Sequence, residues 1–290
     1  MKMRLKTIFY ILPILLTLII VSAWCRKPVT QLILQDVHYG SDSLQTMDIY
    51  LTENRTVETP LVVLVHGGGW MAGDKKDAGF MKDACFANGI NVVNINYRLG
   101  TPGIPGIHYK EMMADIDSAM SYVLDHAGEW NIRKSKYIFW GGSAGAHLSL
   151  LYAYNYDTRD IISLVITLGA PTRFDAESMK GAKPGDIQEL LPLITGKPWN
   201  NDPELLDEAY KDASPYFGKN LKPSFLIHGE KDDIVPKQQS IMMSELLKQK
   251  NIVDTLVILP NGGHGGENTP QEVSERLNLA MYQWIIRYSR

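Results

Sequence analysis

The stretch YIFWGGSAGAHLSL, Tyr137 to Leu150, sets one polar side chain, Ser143, between an apolar aromatic run and an apolar helical pattern. A turn that needed only to be tight would be satisfied by glycine and alanine, so the hydroxyl needs a chemical reason. Gly141, Ser143 and Gly145 form G-x-S-x-G between a strand and a helix, the context in which that motif carries meaning. In so sharp a turn the serine is held in a strained backbone conformation, and side chains at the two flanking positions would collide. Glycine at both removes the collision. The turn ends at a helix N-terminus, so the N–H of Ala144 has no acceptor within the helix and points to the space beside the hydroxyl. Ser143 is read as a nucleophile, a role that needs a base and a group to orient that base.

Composition limits what the partners can be. The chain has 290 residues and is 45% hydrophobic, enough to bury one large core. The formal charge is -3 and the pI is near 6.2. No Lys/Arg cluster outweighs its acidic neighbours, so nothing points to nucleic acid as a partner. The densest basic spot, GDKKDAG, reads as a solvated loop. Two cysteines, Cys25 and Cys85, make neither a disulfide framework nor a metal site, and Cys85 in FMKDACFANG reads as a buried helix residue.

At the N-terminus, Lys2, Arg4 and Lys6 precede an apolar run from Ile8 to Val21 that contains Pro13. The run is shorter than the roughly 20 residues a membrane-spanning helix needs. VSA, Val21 to Ala23, supplies small side chains where a signal peptidase would cut. Residues 1–23 are therefore expected to be a signal peptide, and the protein to be exported, periplasmic or secreted. The rival readings are an uncleaved anchor and a lipid on Cys25, either of which would attach the chain to a membrane. Bulky Trp24, directly before that cysteine, ranks the lipoprotein below the cleaved form.

Beyond the leader the chain alternates. QLILQDVHYG and LQTMDIYL read as two short strands joined by the turn-rich GSDS. Near-continuous apolar runs follow: PLVVLVHGG, INVVNINYRL, YIFWGG, SLVITLGAP, PSFLIHGE and TLVILPNGG. Such runs belong to strands buried on both faces. Between most of them lie segments with helical spacing, such as YKEMMADIDSAMSYVLDHA and QQSIMMSELLKQK, and PQEVSERLNLAMYQWIIRY closes the chain. The pattern is α/β, a mainly parallel twisted sheet of about eight strands with helices on both faces, and residues 24–290 form one domain. From Pro171 to Leu221 the rhythm breaks, with Pro, Gly, Asp and Trp and one short helical piece, DPELLDEAYKDA. This excursion is expected to be a short partial cap at the carboxyl ends of the strands, where α/β sheets bind ligands.

Of the seven histidines, His147 lies one helical turn beyond Ser143, where it cannot easily reach back over its own first turn. It is assigned to packing or local hydrogen bonding. His38, His108 and His126 are ordinary polar residues by their surroundings. His264, in the glycine-surrounded loop PNGGHGGEN after the last strand, is the base. The acid is expected between nucleophile and histidine, where FLIHGEKDDIVP offers Glu230, Asp232 and Asp233 without a choice among them. VHGGGW, Val65 to Trp70, closes an earlier strand with three consecutive glycines. Their N–H groups, with that of Ala144, make an oxyanion hole, in which one donor is worth about 2.7 to 4 kcal/mol. The phosphate-binding alternative lacks its G-x-x-x-x-G-K-[ST] or G-x-G-x-x-G pattern.

HGGGW, GGSAGAHL, HGEKDDIVP and GGHG, in this order and over nearly the whole chain after the leader, resemble the α/β-hydrolase esterases of the hormone-sensitive lipase type. They are most similar to the branch with bacterial feruloyl and acetyl-xylan esterase (BD-FAE-like) domains. VHYGSDSLQTMDIYL, NYRL, ASP at Ala213 to Pro215 and VPKQQS add to the likeness. The resemblance implies that the acid is Asp232, that Gly68 and Gly69 are oxyanion donors, and that His66 supports the loop. Two departures stand out: Ala146 where glycine is frequent, and GTPGIPGIHY in place of the APE that often follows YRL. Together the readings give a serine ester hydrolase that needs no metal or organic cofactor. Its expected substrates are short acyl or feruloyl esters of carbohydrates. The same branch resembles arylformamidases and small-ester carboxylesterases, and a binding protein on a dead hydrolase fold is disfavoured because serine, acid, histidine and glycine donors are all present. Trp70 and Trp199 are flat surfaces suited to stacking on a sugar or aromatic ring, the alternative for either being simple packing.

Overall fold

The computed structural model describes residues 29–101, 106–178 and 187–290. The expected leader and Cys25 lie outside them, as do residues 179–186 of the expected cap. Eight strands form one sheet: β1 Leu32–His38, β2 Thr46–Leu51, β3 Leu61–Val65, β4 Asn91–Ile95, β5 Tyr137–Gly142, β6 Ile162–Leu168, β7 Ser224–Gly229 and β8 Asp254–Leu259. Their spatial order is β1-β2-β4-β3-β5-β6-β7-β8. β1 and β2 pair antiparallel, as does β2 with β4, and every later pairing is parallel. This is the α/β sheet expected from the alternating runs.

Helices cover both faces: α1 Gly79–Ala87, α2 Tyr109–Trp130, α3 Ala144–Leu151, α4 Ile187–Thr195, α5 Glu208–Asp212, α6 Gln238–Gln249 and α7 Gln271–Tyr288. None of the described helices is long and apolar enough to cross a membrane. Side chains alternate across the central strands, which explains their unbroken apolar sequence. Leu61, Val63 and Val65 of β3 and Phe139 of β5 enter one core layer with Met112, Met120, Leu148 and Leu247. Val62, Leu64, Ile138 and Trp140 enter the other with Cys85, Met281 and Ile285. Cys85 is buried in α1 as a free thiol, and burial pushes its pKa up to about 12.

The GDKKDAG segment differs from the expected solvated loop. Lys75 is 2% exposed, and its Nζ lies 2.5 Å from Asp36 and 3.4 Å from Asp48. Its N–H donates to Asn96 Oδ1 at 2.6 Å, while its carbonyl accepts from Asn94 Nδ2 at 2.5 Å. A buried ammonium persists only when paired and hydrogen-bonded. Carboxylates brought from β1 and β2 provide that pairing, through strands 27 or more residues away that no local pattern links to the lysine.

Candidate active site

Ser143 caps the carboxyl end of β5 with φ 51° and ψ −122°, a conformation that an L-residue rarely adopts. The reason lies in how closely α3 approaches the sheet. A Cβ at Gly141 would come within 2.4 Å of the Gly145 carbonyl, and one at Gly145 within 2.1 Å of the Val65 carbonyl oxygen. Both glycines are therefore sterically required. The serine N–H donates to Leu168 O on neighbouring β6 at 2.7 Å, so the elbow is tied to the sheet on one side and pressed onto β3 on the other.

His264 arrives on the loop after β8, and its Nδ1–H donates to Asp232 Oδ2 at 2.8 Å. That leaves Nε2 free to accept a proton. Ser143 and His264 line the same two cavities, one of about 420 Å³ and one of about 210 Å³. Among the three acidic candidates the geometry singles out Asp232. Asp233 is exposed, and the Glu230 carboxylate accepts from the Asn261 N–H at 3.0 Å.

The Asp232 side chain is fully buried, and each of its oxygens faces two N–H groups. Oδ1 accepts from the N–H groups of Ile234 and Val235 at 3.0 and 2.8 Å. Oδ2 accepts from His264 at 2.8 Å and lies 3.1 Å from His228 Nε2, whose single N–H it shares with the Val235 carbonyl. Burial alone would raise its pKa, but the hydrogen bonds from His228 and His264, the His264 charge and the Val235 N–H outweigh it and hold the carboxyl well below the usual range. His228 is the residue that sequence reasoning missed. It is fully buried at the end of β7, with Nδ1 2.8 Å from Ser240 Oγ and Nε2 also 2.9 Å from Val235 O. A histidine four residues before an acid was the available signal.

The HGGGW loop stands opposite. Gly68, at φ 107°, has no room for a Cβ, which would lie 2.1 Å from Ala72 O. Its own carbonyl accepts from Met71 and Ala72 N–H at 3.2 and 2.9 Å. Gly68, Gly69 and Ala144 all line the larger cavity beside the serine. His66 supports the loop from below: its Nδ1–H donates to Gly67 O at 2.7 Å, its ring stacks on Tyr97 at 4.4 Å, and the Tyr97 hydroxyl donates to His66 O at 2.9 Å.

Trp70 walls the larger cavity, but it is not the open stacking surface expected from the sequence. It is 1% exposed, packed edge-on against His147 and Phe174. Its Nε1–H donates to His147 Nδ1 at 3.1 Å, and His147 Nε2–H donates to Ala213 O at 2.7 Å. His147 thus packs and hydrogen-bonds, but its bonds are long-range, not local as expected: they join the glycine loop to the Ala213 end of the segment from Pro171 to Leu221. Trp199 lies away from the cavity, edge-on to Tyr210 with its Nε1–H on Asn201. From the segment expected to form a cap, Leu190 of α4 reaches the larger cavity. His108 holds α4 through the Leu193 carbonyl at 2.8 Å from Nδ1.

A parallel sheet with this elbow, a His–Asp pair and a glycine loop defines an α/β-hydrolase. Residues 47–247 match the BD-FAE family, and the chain belongs to it. Esterase LipC of Mycobacterium tuberculosis is 24% identical over 245 residues, covering 79% of this chain and 59% of LipC. Endo-1,4-beta-xylanase B of Butyrivibrio fibrisolvens is 26% identical over 231 residues, 73% of this chain and 33% of that protein. The chain thus corresponds to only part of the length of these curated relatives. Among solved structures, a truncated carbohydrate esterase from gut microbiota shares the fold with a TM-score of 0.71 at 20% identity, over 90% of this chain and 97% of that one.

Asp232→Asn places an amide NH₂ among donors and removes control of the His264 tautomer. It should lower kcat/KM for an activated acetate ester by about two to four orders of magnitude, whereas Asp233→Asn should stay within about twofold, since exposed changes are usually mild. The reverse ranking would move the acid by one residue.

Burial lowers the pKa of His147 from its ordinary 6.5 to about 4, against a smaller upward pull from the Ala213 carbonyl. Protonation would also set an N–H on Nδ1 against the Trp70 N–H. A folded-state value below the unfolded one means stability that is present above pH 6.5 and drains away as pH falls through about 4. Thermal melts between pH 7 and 4 should fall more steeply for the natural protein than for His147→Gln. Parallel curves would contradict this account.

Proposed function

We propose that this protein is a serine carboxylic-ester hydrolase that removes short acyl groups, acetyl above all, from carbohydrate esters. The observation that carries the reading is the 2.8 Å Asp232–His264 hydrogen bond, which sets His264 in a cavity shared with Ser143 and the glycine loop. In the proposed route His264 Nε2 takes the Ser143 proton as Oγ attacks the ester carbonyl. The N–H groups of Gly68, Gly69 and Ala144 receive the developing oxyanion. The imidazolium, kept in register by Asp232, then protonates the leaving alcohol. Water, deprotonated by the same Nε2, attacks the acyl-enzyme and frees the acid and the serine.

The acyl preference rests on the larger cavity. Its apolar walls include Met71 and Ile234, which are 38% and 44% exposed, so a long chain leaving the serine would stay partly in water. Each buried methylene would add about 0.8 kcal/mol, a gain this wall cannot collect over eight carbons. The carbohydrate assignment draws on the names of a xylanase and a carbohydrate esterase among its likenesses. It also fits the proposed export of the chain, for which the mature protein would begin near Trp24. N-terminal sequencing of the processed protein tests the cleavage, and a lipid on Cys25 would overturn it.

Ser143→Ala should remove nearly all hydrolysis of an activated acetate ester with the fold retained by circular dichroism. For the natural enzyme, kcat/KM across acetate, butyrate, hexanoate and octanoate esters of one chromogenic alcohol should fall. A steady rise to octanoate would defeat the short-acyl reading, and activity within a few fold in Ser143→Ala would displace the nucleophile.

A further inference from the structure

The smaller cavity beside Ser143 does not end at the catalytic pair. It is lined by Ser143, His264 and Gly265, and shares Asp77, Met81, Leu168 and Gly265 with a further groove of about 390 Å³ between α1 and α7. The floor of that groove is apolar: Trp140, Ile227, Leu259 and Met281 are each at most 8% exposed. Phe80 forms its rim with 77% of its surface in water, and Ser274 and Asn278 of α7 add a polar edge. A large aromatic side chain left this open beside a groove that leads to a nucleophile is a surface awaiting a partner.

The two cavities on either side of the serine are chemically different. Gly68, Gly69 and Ala144 line the larger one, and none of them lines the smaller. The carbonyl oxygen must lie at those donors, and the acyl chain and the alkoxy oxygen, both bonded to the carbon that carries it, must leave on different sides. The leaving alcohol must instead meet His264, which hands it a proton. His264 lines both cavities, so what sets the smaller one apart is that it holds no oxyanion donor and continues into the groove, which makes it the candidate exit for the alcohol.

We propose that the groove between α1 and α7 is the alcohol-binding site, and that it selects esters of ring-bearing alcohols with one apolar face and a polar edge. The inference rests on the ester-hydrolase reading and adds to it which face of the molecule holds the alcohol. The apolar face of such a ring lies on Met81, Trp140 and Met281, while Phe80 closes over it and its polar groups meet the rim. Methionine on two sides suits the role, since its unbranched thioether adapts to rings of different shape.

The test holds the acyl group at acetate and varies the alcohol among alkyl alcohols of similar acidity: ethyl, 2-cyclohexylethyl and 2-phenylethyl acetate. The ring-bearing esters should exceed ethyl acetate in kcat/KM by about tenfold, the return expected from burying a few apolar carbons. Asn278→Trp, which fills the groove from an exposed position, and Phe80→Ser, which removes its rim, should each bring that ratio down to about two or below. Both positions are exposed, and melting temperature monitors the fold. The acetate-to-octanoate ratio, measured on the same variants, should hold. A ring preference that survives both substitutions would overturn the assignment, as would a natural enzyme with no ring preference. A change in acyl-length profile with the ring preference intact would place the acyl group in the groove and reverse the proposal. Loss of the ester-hydrolase reading itself shows up separately, as activity that persists in Ser143→Ala.

Discussion

Everything at the site depends on how little space separates α3 from the carboxyl end of β3. The carbonyl oxygen of Val65 would lie 2.1 Å from a Cβ at Gly145, so helix and strand meet backbone to backbone. That approach forces the chain to turn from β5 into α3 within one residue, and Ser143 takes the positive φ that the turn demands. Strain of this kind costs on the order of 1–3 kcal/mol and persists only where the surroundings over-determine it. Here β6 fixes the serine N–H, and the buried helix residues from Ala144 to Leu151 fix the other side. The hydroxyl is consequently lifted out of the sheet, and the first helix N–H group is delivered to the same spot.

Around this point, polar groups are buried in pairs whose donors and acceptors match. Asp232 receives three hydrogen bonds, two from N–H groups of its own loop and one from His264, and shares the His228 Nε2–H with the Val235 carbonyl. This is about the full acceptor capacity of a carboxylate, so its charge is stabilised without access to water. Its orientation is equally constrained, since rotating the carboxylate would leave buried donors unmet. The Trp70–His147–Ala213 chain does the corresponding service for the glycine loop. A neutral imidazole accepts from one partner and donates to the other, and few other side chains can do both across such a gap. The proposed oxyanion donors and the helix behind Ser143 are therefore registered to each other through His147, with no contact between His147 and the reacting atoms required.

Six strands were legible in the sequence because strands within the sheet cannot hide their apolar runs, and β1 and β2 were legible as a short pair joined by a turn. The elbow was legible for a local reason: the residues that create the strain and those that relieve it lie within five positions. The base followed from glycine on both sides of His264. What failed to show were relations between distant segments. Lys75 looked solvated since the carboxylates that neutralise it belong to β1 and β2. Glu230, Asp232 and Asp233 are equivalent in composition, and only the turn of the loop after β7 sends one of them inward. Trp70 read as a flat surface, yet its positive φ and its bond to His147 turn it into the core.

Specificity is the least legible part, and the reason is physical. The groups that perform acyl transfer are polar residues in a mostly apolar setting, so each one is anomalous and can be noticed. The groups proposed to choose a substrate are apolar, and in sequence Met71, Leu190, Phe80 and Met281 are indistinguishable from side chains that fill a core. Only their arrangement separates them: Leu190 from the expected cap segment and Met71 after the glycine loop on one side of the serine, Phe80 and Met281 from two different helices on the other. These linings are carried by helices and loops outside the sheet, where a side chain can be exchanged without disturbing the elbow or the Asp232–His264 pair. The geometry of catalysis and the choice of substrate thus rest on different parts of the chain, one held by backbone contacts that tolerate no Cβ and the other by surfaces free to vary.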